Sequence, residues 1–432
     1  MNCSRVYRAW PAMVAAPLLI CSALTACASK SPSAGGSASG TVSIAVFQTF
    51  TGPDAAYGPE AAAGCIPAVN LINANGGILG HHVSCPIFDD KGDPADAVPL
   101  ARKMLSSTPN LIGVLGVGVT ADAVLPITEA AGMPVFTTTG EPRYDKQTNA
   151  YFWRMLPADD VLGSAMTIAA QHFGYSRVAL VFTNDITSQG ALPGLRIGIP
   201  RSHGKIAITE LLPGGQPSYR SDVERLIAAK PQAIITELDP QTAATFLSEY
   251  FQLTSKVLPI ISDTVALEPS WISAVSGAIG KARLASSVTV VASYAPLTTP
   301  AYVTFTKALL AAHGIQNPSQ WNTDLFTASS YDAANIVALA AIEAHSLDPK
   351  VINRYVPKIA GGVPGAVTVG TFAAGAAALR AGKQVHYVGA SGPIVFNAYH
   401  NSTGEFALET YKGSGVAVKS VITAAELARF VG

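Results

Sequence analysis

From residue 41 onward, short runs of β-branched and apolar residues alternate with longer segments in which apolar positions recur every three to four residues. The short runs predict strands and the long ones amphipathic helices. Residues 41–47 form the first predicted strand. A helix follows over 57–75, with Pro59 and Glu60 in its first turn and Gly76-Gly77 at its end. Residues 83–89 predict a second strand. Asp93-Pro94 opens a helix carrying Val98, Ala101 and Leu105 on one face. Strand 111–115, a helix from the cap Thr120 to Ala131, and strand 134–137 complete the run. A second run has helix 158–173, strand 177–182, helix 187–200, and strands 206–212, 233–236 and 258–261 with helices 219–229 and 241–251 between them. Alternation of this kind builds right-handed βαβ units, hence parallel sheets covered on both faces. The runs 42–136 and 177–262 therefore predict two doubly wound α/β lobes. Long helices over 302–313 and 325–345, strand-like residues 393–397 and 406–411, and a short helix from Ala424 complete the chain.

The first 26 residues do not fit that alternation. Arg5 and Arg8 precede an apolar stretch from Ala12 to Ile20, too short to span a bilayer and typical of a secretory signal. It ends in Leu24-Thr25-Ala26-Cys27, which resembles the bacterial lipobox, where the cysteine becomes a lipidated N-terminus. The expectation is removal of residues 1–26, lipidation of Cys27, and a flexible Ser/Ala/Gly-rich tether over 27–41. No other apolar run approaches the roughly 18 residues of a membrane span. The body is expected outside the cytoplasmic membrane, held to its outer face by lipid.

Composition narrows the function. Removing residues 1–26 takes away two arginines and no acid, leaving 26 basic and 28 acidic side chains in 406 residues. That balance points to no nucleic-acid partner. Of five cysteines, Cys3 and Cys21 leave with the signal and Cys27 takes the lipid. Cys65 and Cys85 remain, and in an exported chain a disulfide is favoured over two separate buried thiols.

The candidate motifs are mostly structural. Gly116-Val-Gly118-Val-Thr-Ala121 has the form of a dinucleotide fingerprint, with Glu141 about 20 residues on. It follows the third strand instead of the first, in an exported chain without nicotinamide supply. What survives is a helix start whose free N–H groups suit an anion such as a carboxylate. His81-His82 lacks further ligand spacing for a metal. Asp89-Asp90 reads better as helix capping than as an acid/base pair, and Asn401-Ser402-Thr403 as a turn. With no G-x-S-x-G or H-E-x-x-H, an enzyme has no constellation in its favour. No cofactor and no metal are expected.

The segment 42–135 resembles the first lobe of type I periplasmic binding proteins of the leucine/isoleucine/valine-binding group. The residues that carry the resemblance are Thr51-Gly52-Pro53, Tyr57-Gly58, Ile72-Asn73-Ala74-Asn75-Gly76-Gly77-Ile78-Leu79-Gly80, Asp89-Asp90 with Asp93-Pro94, Leu111-Ile112-Gly113 and Gly132-Met133-Pro134-Val135. Gly392-Pro393-Ile394-Val395-Phe396-Asn397 resembles the family's late strand. The resemblance implies two lobes, 42–157 with 296–404 and 158–295 with 405–432, joined by three hinge crossings and closing on a ligand for delivery to a membrane ABC permease. It places the family's aromatic wall on Tyr57. The loop for the ligand carboxylate falls on Val117, Gly118, Val119 and Thr120, without the family's serines. The next loop carries Thr138, Thr139 and Glu141. The second-lobe positions fall near Gln189 and Asp239, and the acid for the ligand ammonium near Asp263-Thr264. The resulting site is more polar than one for a branched aliphatic side chain. The expected function is capture of a small polar or zwitterionic ligand, amino acids first, with amides, urea-like compounds and small organic acids open. The alternative is a sensory protein of the same fold without a transport role.

Overall fold

The structure is a computed structural model describing residues 40–430 except 53, 54, 56, 186 and 414. The signal, Cys27, the tether and Pro53 lie outside the described residues. The first sheet contains β1 (Thr41–Gln48), β2 (His82–Ser84), β3 (Ile87–Asp89), β4 (Leu111–Gly116), β5 (Val135–Thr137) and β6 (Phe152–Arg154), all parallel. The expected second strand is split because Cys85-Pro86 interrupts it, and both halves pair with β1. The order is β2-β1-β4-β5-β6. β1 is buried on both faces, as a central parallel strand must be. Val42, Ile44 and Val46 pack into one core and Ala45 and Phe47 into the other.

The helices of this lobe are α1 (Tyr57–Ala74), α2 (Pro94–Ser107) and α3 (Ala121–Ala131). Asp93 caps α2 by accepting from the Ala95 N–H at 2.8 Å. The buried stripe of α2 is Ala97, Ala101 and Met104, so Val98 and Leu105 flank the expected face instead of centring it.

The second sheet repeats the plan. It contains β7 (Arg177–Thr183), β8 (Lys205–Leu212), β9 (Ala233–Glu237), β10 (Ile260–Ser262) and β11 (Val288–Tyr294), in the order β8-β7-β9-β10-β11. The strands Glu405–Lys412 and Gly415–Ile422 extend it as an antiparallel hairpin beside β11. Its helices begin with α4 (Asp159–His172) and α5 (Leu192–Arg201), then α6 (Arg220–Ala229) and α7 (Pro240–Thr254). α5 starts five residues later than the pattern suggested, because residues 187–190 form turns. Gln189 therefore sits on a loop.

The chain passes between the sheets after β6, after β11 and before Glu405. The first and third passages lie side by side. Arg154 bridges Asn401, and the Trp153 ring stacks on His400 at 3.9 Å. The helix Leu325–Glu343 is long and apolar enough to cross a membrane, contrary to the reading that no further run was. It is a core helix instead, since every residue from Thr327 to Ile342 is buried, and it packs on α1.

Candidate functional site

Ligands in open α/β sheets bind outside the carboxyl ends of the strands. Here those ends carry the loops at Gly116–Thr120, Thr137–Arg143, Thr183–Gly190, Glu237–Asp239 and Ser262–Thr264. Two of them meet. Glu141, Pro142 and Arg143 from the first lobe face Gln189 and Gly190 from the second across a cavity of about 240 Å³. Two of the expected ligand residues, Glu141 and Gln189, are thus brought together.

The first-lobe loops are fixed by two neighbouring acids. Asp89 accepts from the N–H groups of Phe50, Thr51 and Lys91 and from the Thr51 hydroxyl. Asp90, fully buried, accepts from the hydroxyls of Thr49 at 2.7 Å and Thr120 at 2.5 Å and from the Gly92 N–H. These acids tie three loops together, so the expectation that they cap a helix is corrected. Thr120 is corrected with them. It occupies the cap position of α3 but makes no side-chain cap bond, and its hydroxyl points into the lobe toward Asp90. The loop still leaves backbone donors open. Among the described residues, the N–H groups of Gly118, Val119 and Thr120 meet no acceptor. Val117 is buried in a left-handed conformation, φ 58°, while Val119 is exposed. Gly118 leaves room for the Gln48 side chain, whose Oε1 would lie 2.9 Å from a Cβ there.

The other expected residues are dispersed. Tyr57 opens α1 at the surface, and Thr138 is half-buried. Thr139 bonds the Glu141 side chain. Glu141 is not a free acid for an ammonium, because Arg143 pairs with it at 2.7 Å and with Asp122 at 2.6 Å. Gln189 donates to Asn184. Asp239 caps α7 by accepting from the Gln241 and Thr242 N–H groups at 3.0 Å, and its other oxygen lies 3.4 Å from the Thr183 hydroxyl. Thr264 is exposed at the start of a short 3-10 turn. Asp263 precedes that turn without capping it and is 8% exposed.

Two acids missed by sequence reasoning complete the centre. Asp159, the first residue of α4, stands at the first passage between the lobes. A Cβ on Gly140 would lie 1.8 Å from its Oδ1, and one on Gly190 2.2 Å from its Oδ2. Its N–H donates to the Gly140 carbonyl at 2.8 Å. Glu237 ends β9. Burial pushes the Asp159 carboxyl up to about 7, with Arg154 opposing and Asp145, Glu141 and Asp160 reinforcing the rise. Burial likewise pushes Asp263 up to about 7, against its own and the Val265 N–H groups and together with Asp159 and Glu268. Glu237 is held well above the carboxylate range by burial, then by Asp263, Asp159 and Asp185. Arg154, the buried cation here, is engaged by Asp145 at 2.7 Å and the Glu141 carbonyl at 2.8 Å. The visible signal for Glu237 was an acid closing an otherwise apolar parallel strand. Asp159-Asp160 opens the helix expected over 158–173, where acids are common because they complement the helix dipole, so nothing in the local sequence marks them out.

The profile of the periplasmic binding protein family matches residues 41–412, and the chain belongs to that family. Membership implies a binding protein rather than an enzyme, and an extracytoplasmic location. The Leu/Ile/Val-binding protein homolog 1 of Brucella melitensis is 29% identical over 204 residues, 46% of this chain and 53% of that protein. The Leu/Ile/Val-binding protein of Escherichia coli is 27% identical over 194 residues, 43% of this chain and 51% of that protein. The chain thus spans about half the length of the curated relatives it matches. The fold is shared with LivJ of Streptococcus pneumoniae in complex with isoleucine, at TM-score 0.67 and 17% identity over 89% of this chain and 99% of that one. It is also shared with a solute-binding protein of Rhodopseudomonas palustris in complex with p-hydroxybenzoic acid, at TM-score 0.68 and 18% identity over 89% and 98%.

Proposed function

We propose that this chain captures a small polar or zwitterionic solute, amino acids first, for an ABC importer in the cytoplasmic membrane. The observation that carries this reading is the cavity lined from both lobes at the carboxyl ends of the strands, between Glu141–Arg143 and Gln189–Gly190. The lobes are 42–157 with 296–404, and 158–295 with 405–432, closing about the three passages. A ligand carboxylate meets the N–H groups of Gly118, Val119 and Thr120 at the start of α3, where the helix dipole favours negative charge. Tyr57, Thr138 and Thr139 flank it, and Asp263 faces the ligand ammonium with Thr264 and Gln189 nearby. Lipidation of Cys27 holds the protein at the outer membrane face.

A thermal-shift screen of amino acids, amides, urea-like compounds and organic acids tests the reading. A ligand at 100 times its Kd adds about 2.7 kcal/mol of stability. Absence of any shift across the set overturns it. The anchor has its own test. Cys27→Ser should abolish membrane fractionation, and an unchanged membrane fraction would remove the lipid from the account.

A further inference from the structure

Gln48 closes β1 at its carboxyl end, against the loop that opens α3. A Cβ on Gly118 would lie 2.9 Å from its Oε1 and 3.0 Å from its Nε2. The φ of Gly118 is not positive, so conformation does not call for glycine there. The space of a side chain is given to the Gln48 carboxamide instead. Oε1 accepts the Thr49 N–H at 3.1 Å, which leaves Nε2 as the free end. Nε2 donates to no acceptor among the described residues. Gln48 is only 5% exposed, yet Nε2 is not one of the sealed side-chain atoms that lack a partner. This donor therefore reaches accessible space from a buried residue. Beside it, the N–H groups of Gly118, Val119 and Thr120 meet no acceptor among the described residues. Donors in folded proteins are satisfied almost without exception, so neighbouring donors left open together mark where an acceptor is missing. The acceptors around them are already engaged. The carbonyls of Val117 and Gly118 accept from the Thr137 hydroxyl and the Ala121 N–H. Asp90 accepts from Thr49, Thr120 and Gly92. Asp122, in the first turn of α3, pairs at 2.6 Å with Arg143, a residue of the cavity wall, so one ion pair joins this helix start to the cavity.

We infer that Gln48 is a specificity-determining residue, whose Nε2–H donates to one oxygen of a carboxylate on the solute while the N–H groups of Gly118–Thr120 hold the other. This rests on the solute-binding reading above and deepens it, because it selects carboxylates from the wider set of polar solutes. A carboxylate brings acceptors only, on two oxygens, and a charge that suits a helix start. Its hydrogen bonds are charge-assisted and so among the stronger ones. An amide or a urea brings one acceptor oxygen and N–H groups. Those N–H groups would meet the Gln48 donor instead of an acceptor, which leaves both sides unpaired. Gln48 thus rejects the amide analogue of a solute that the backbone N–H groups alone would tolerate.

The test is titration calorimetry of the full chain with leucine, glutamine, arginine and benzoate, each against its own carboxamide, and with urea. Any acid that binds should lose affinity about tenfold or more as the carboxamide. Gln48→Glu keeps an oxygen to accept from Thr49 and replaces the donor by an acceptor. It should weaken carboxylate binding about tenfold or more, the loss of one charge-assisted contact. A residue that only held Thr49 in place would leave that affinity unchanged. Gln48→Met removes the donor without adding charge, and should weaken carboxylate binding about tenfold. The thermal midpoint of each unliganded variant separates lost binding from misfolding. Parent-like carboxylate affinity in either folded variant overturns this inference and leaves the solute-binding reading standing. A carboxamide or urea that binds as tightly as the acids also overturns it. No response to these solutes or to any in the thermal-shift screen overturns the underlying reading as well.

Discussion

The Oδ2 of Asp159 lies 2.2 Å from where a Cβ on Gly190 would stand. The carboxylate at the base of one lobe's first helix therefore occupies space that a side chain on the facing loop would need. Gly190 is buried, and its φ lies outside the left-handed region. Alanine is compatible with its backbone but not with its neighbour. Gly190→Ala should cost about 1–3 kcal/mol by overpacking, measured by urea denaturation. A stability within about 0.5 kcal/mol of the parent, the range of an ordinary surface change, would mean the carboxylate moves aside freely.

The Thr120 hydroxyl is 2.5 Å from Asp90, which also holds Thr49 and Gly92. Thr120→Val keeps the shape and removes the donor. A buried acid then loses one of its hydrogen bonds, at about 1–3 kcal/mol. Denaturation should show that loss. The loop 117–120 should also loosen, and faster hydrogen exchange at Gly118 and Val119 would report it. Unchanged stability and exchange would show that Thr49 and Gly92 suffice to fix Asp90.

The two lobes were legible because parallel strands buried on both faces read as apolar runs, and the runs at 42–136 and 177–262 stand out. β11, with Val288, Val290 and Val291 buried, was passed over, as was the outer strand Gly415–Ile422, whose side chains are mostly exposed. The site was less legible. Position and residue type placed Asp239 at a strand end, and the same facts suit a helix cap, which is what it forms. Asp159 and Glu237 lie 78 positions apart within the second lobe, and no local pattern in the chain brings them to notice together.

Cys65 in α1 is bonded to Cys85, which follows β2, across 20 residues of chain. A loop of that length contributes roughly 3 kcal/mol in the chain-entropy model. The replacement Cys65→Ala with Cys85→Ala should lower stability by about that amount. Thiol titration of the unfolded, unreduced parent should find neither cysteine free. Two reactive thiols there would refute the bond.

Acids with raised pKa values set the direction of the pH response. Burial lifts Asp159 and Asp263 from 3.8 to about 7, and Glu60 from 4.5 to about 9, where Asp324 and Glu268 add to the rise. Between the unfolded and folded values the native state holds protons that the unfolded chain has released. Stability contributed by these groups is thus fully present below about pH 4 and is lost as pH rises through about 7, then through about 9 for Glu60. Asp89 and Glu426, whose values are lowered by hydrogen bonds, act oppositely and only in acid. The unliganded protein should therefore melt at a higher temperature near pH 5.5 than near pH 8.5, two conditions on either side of the first window. A midpoint that rises with pH would place these carboxyls in water instead of in the interior.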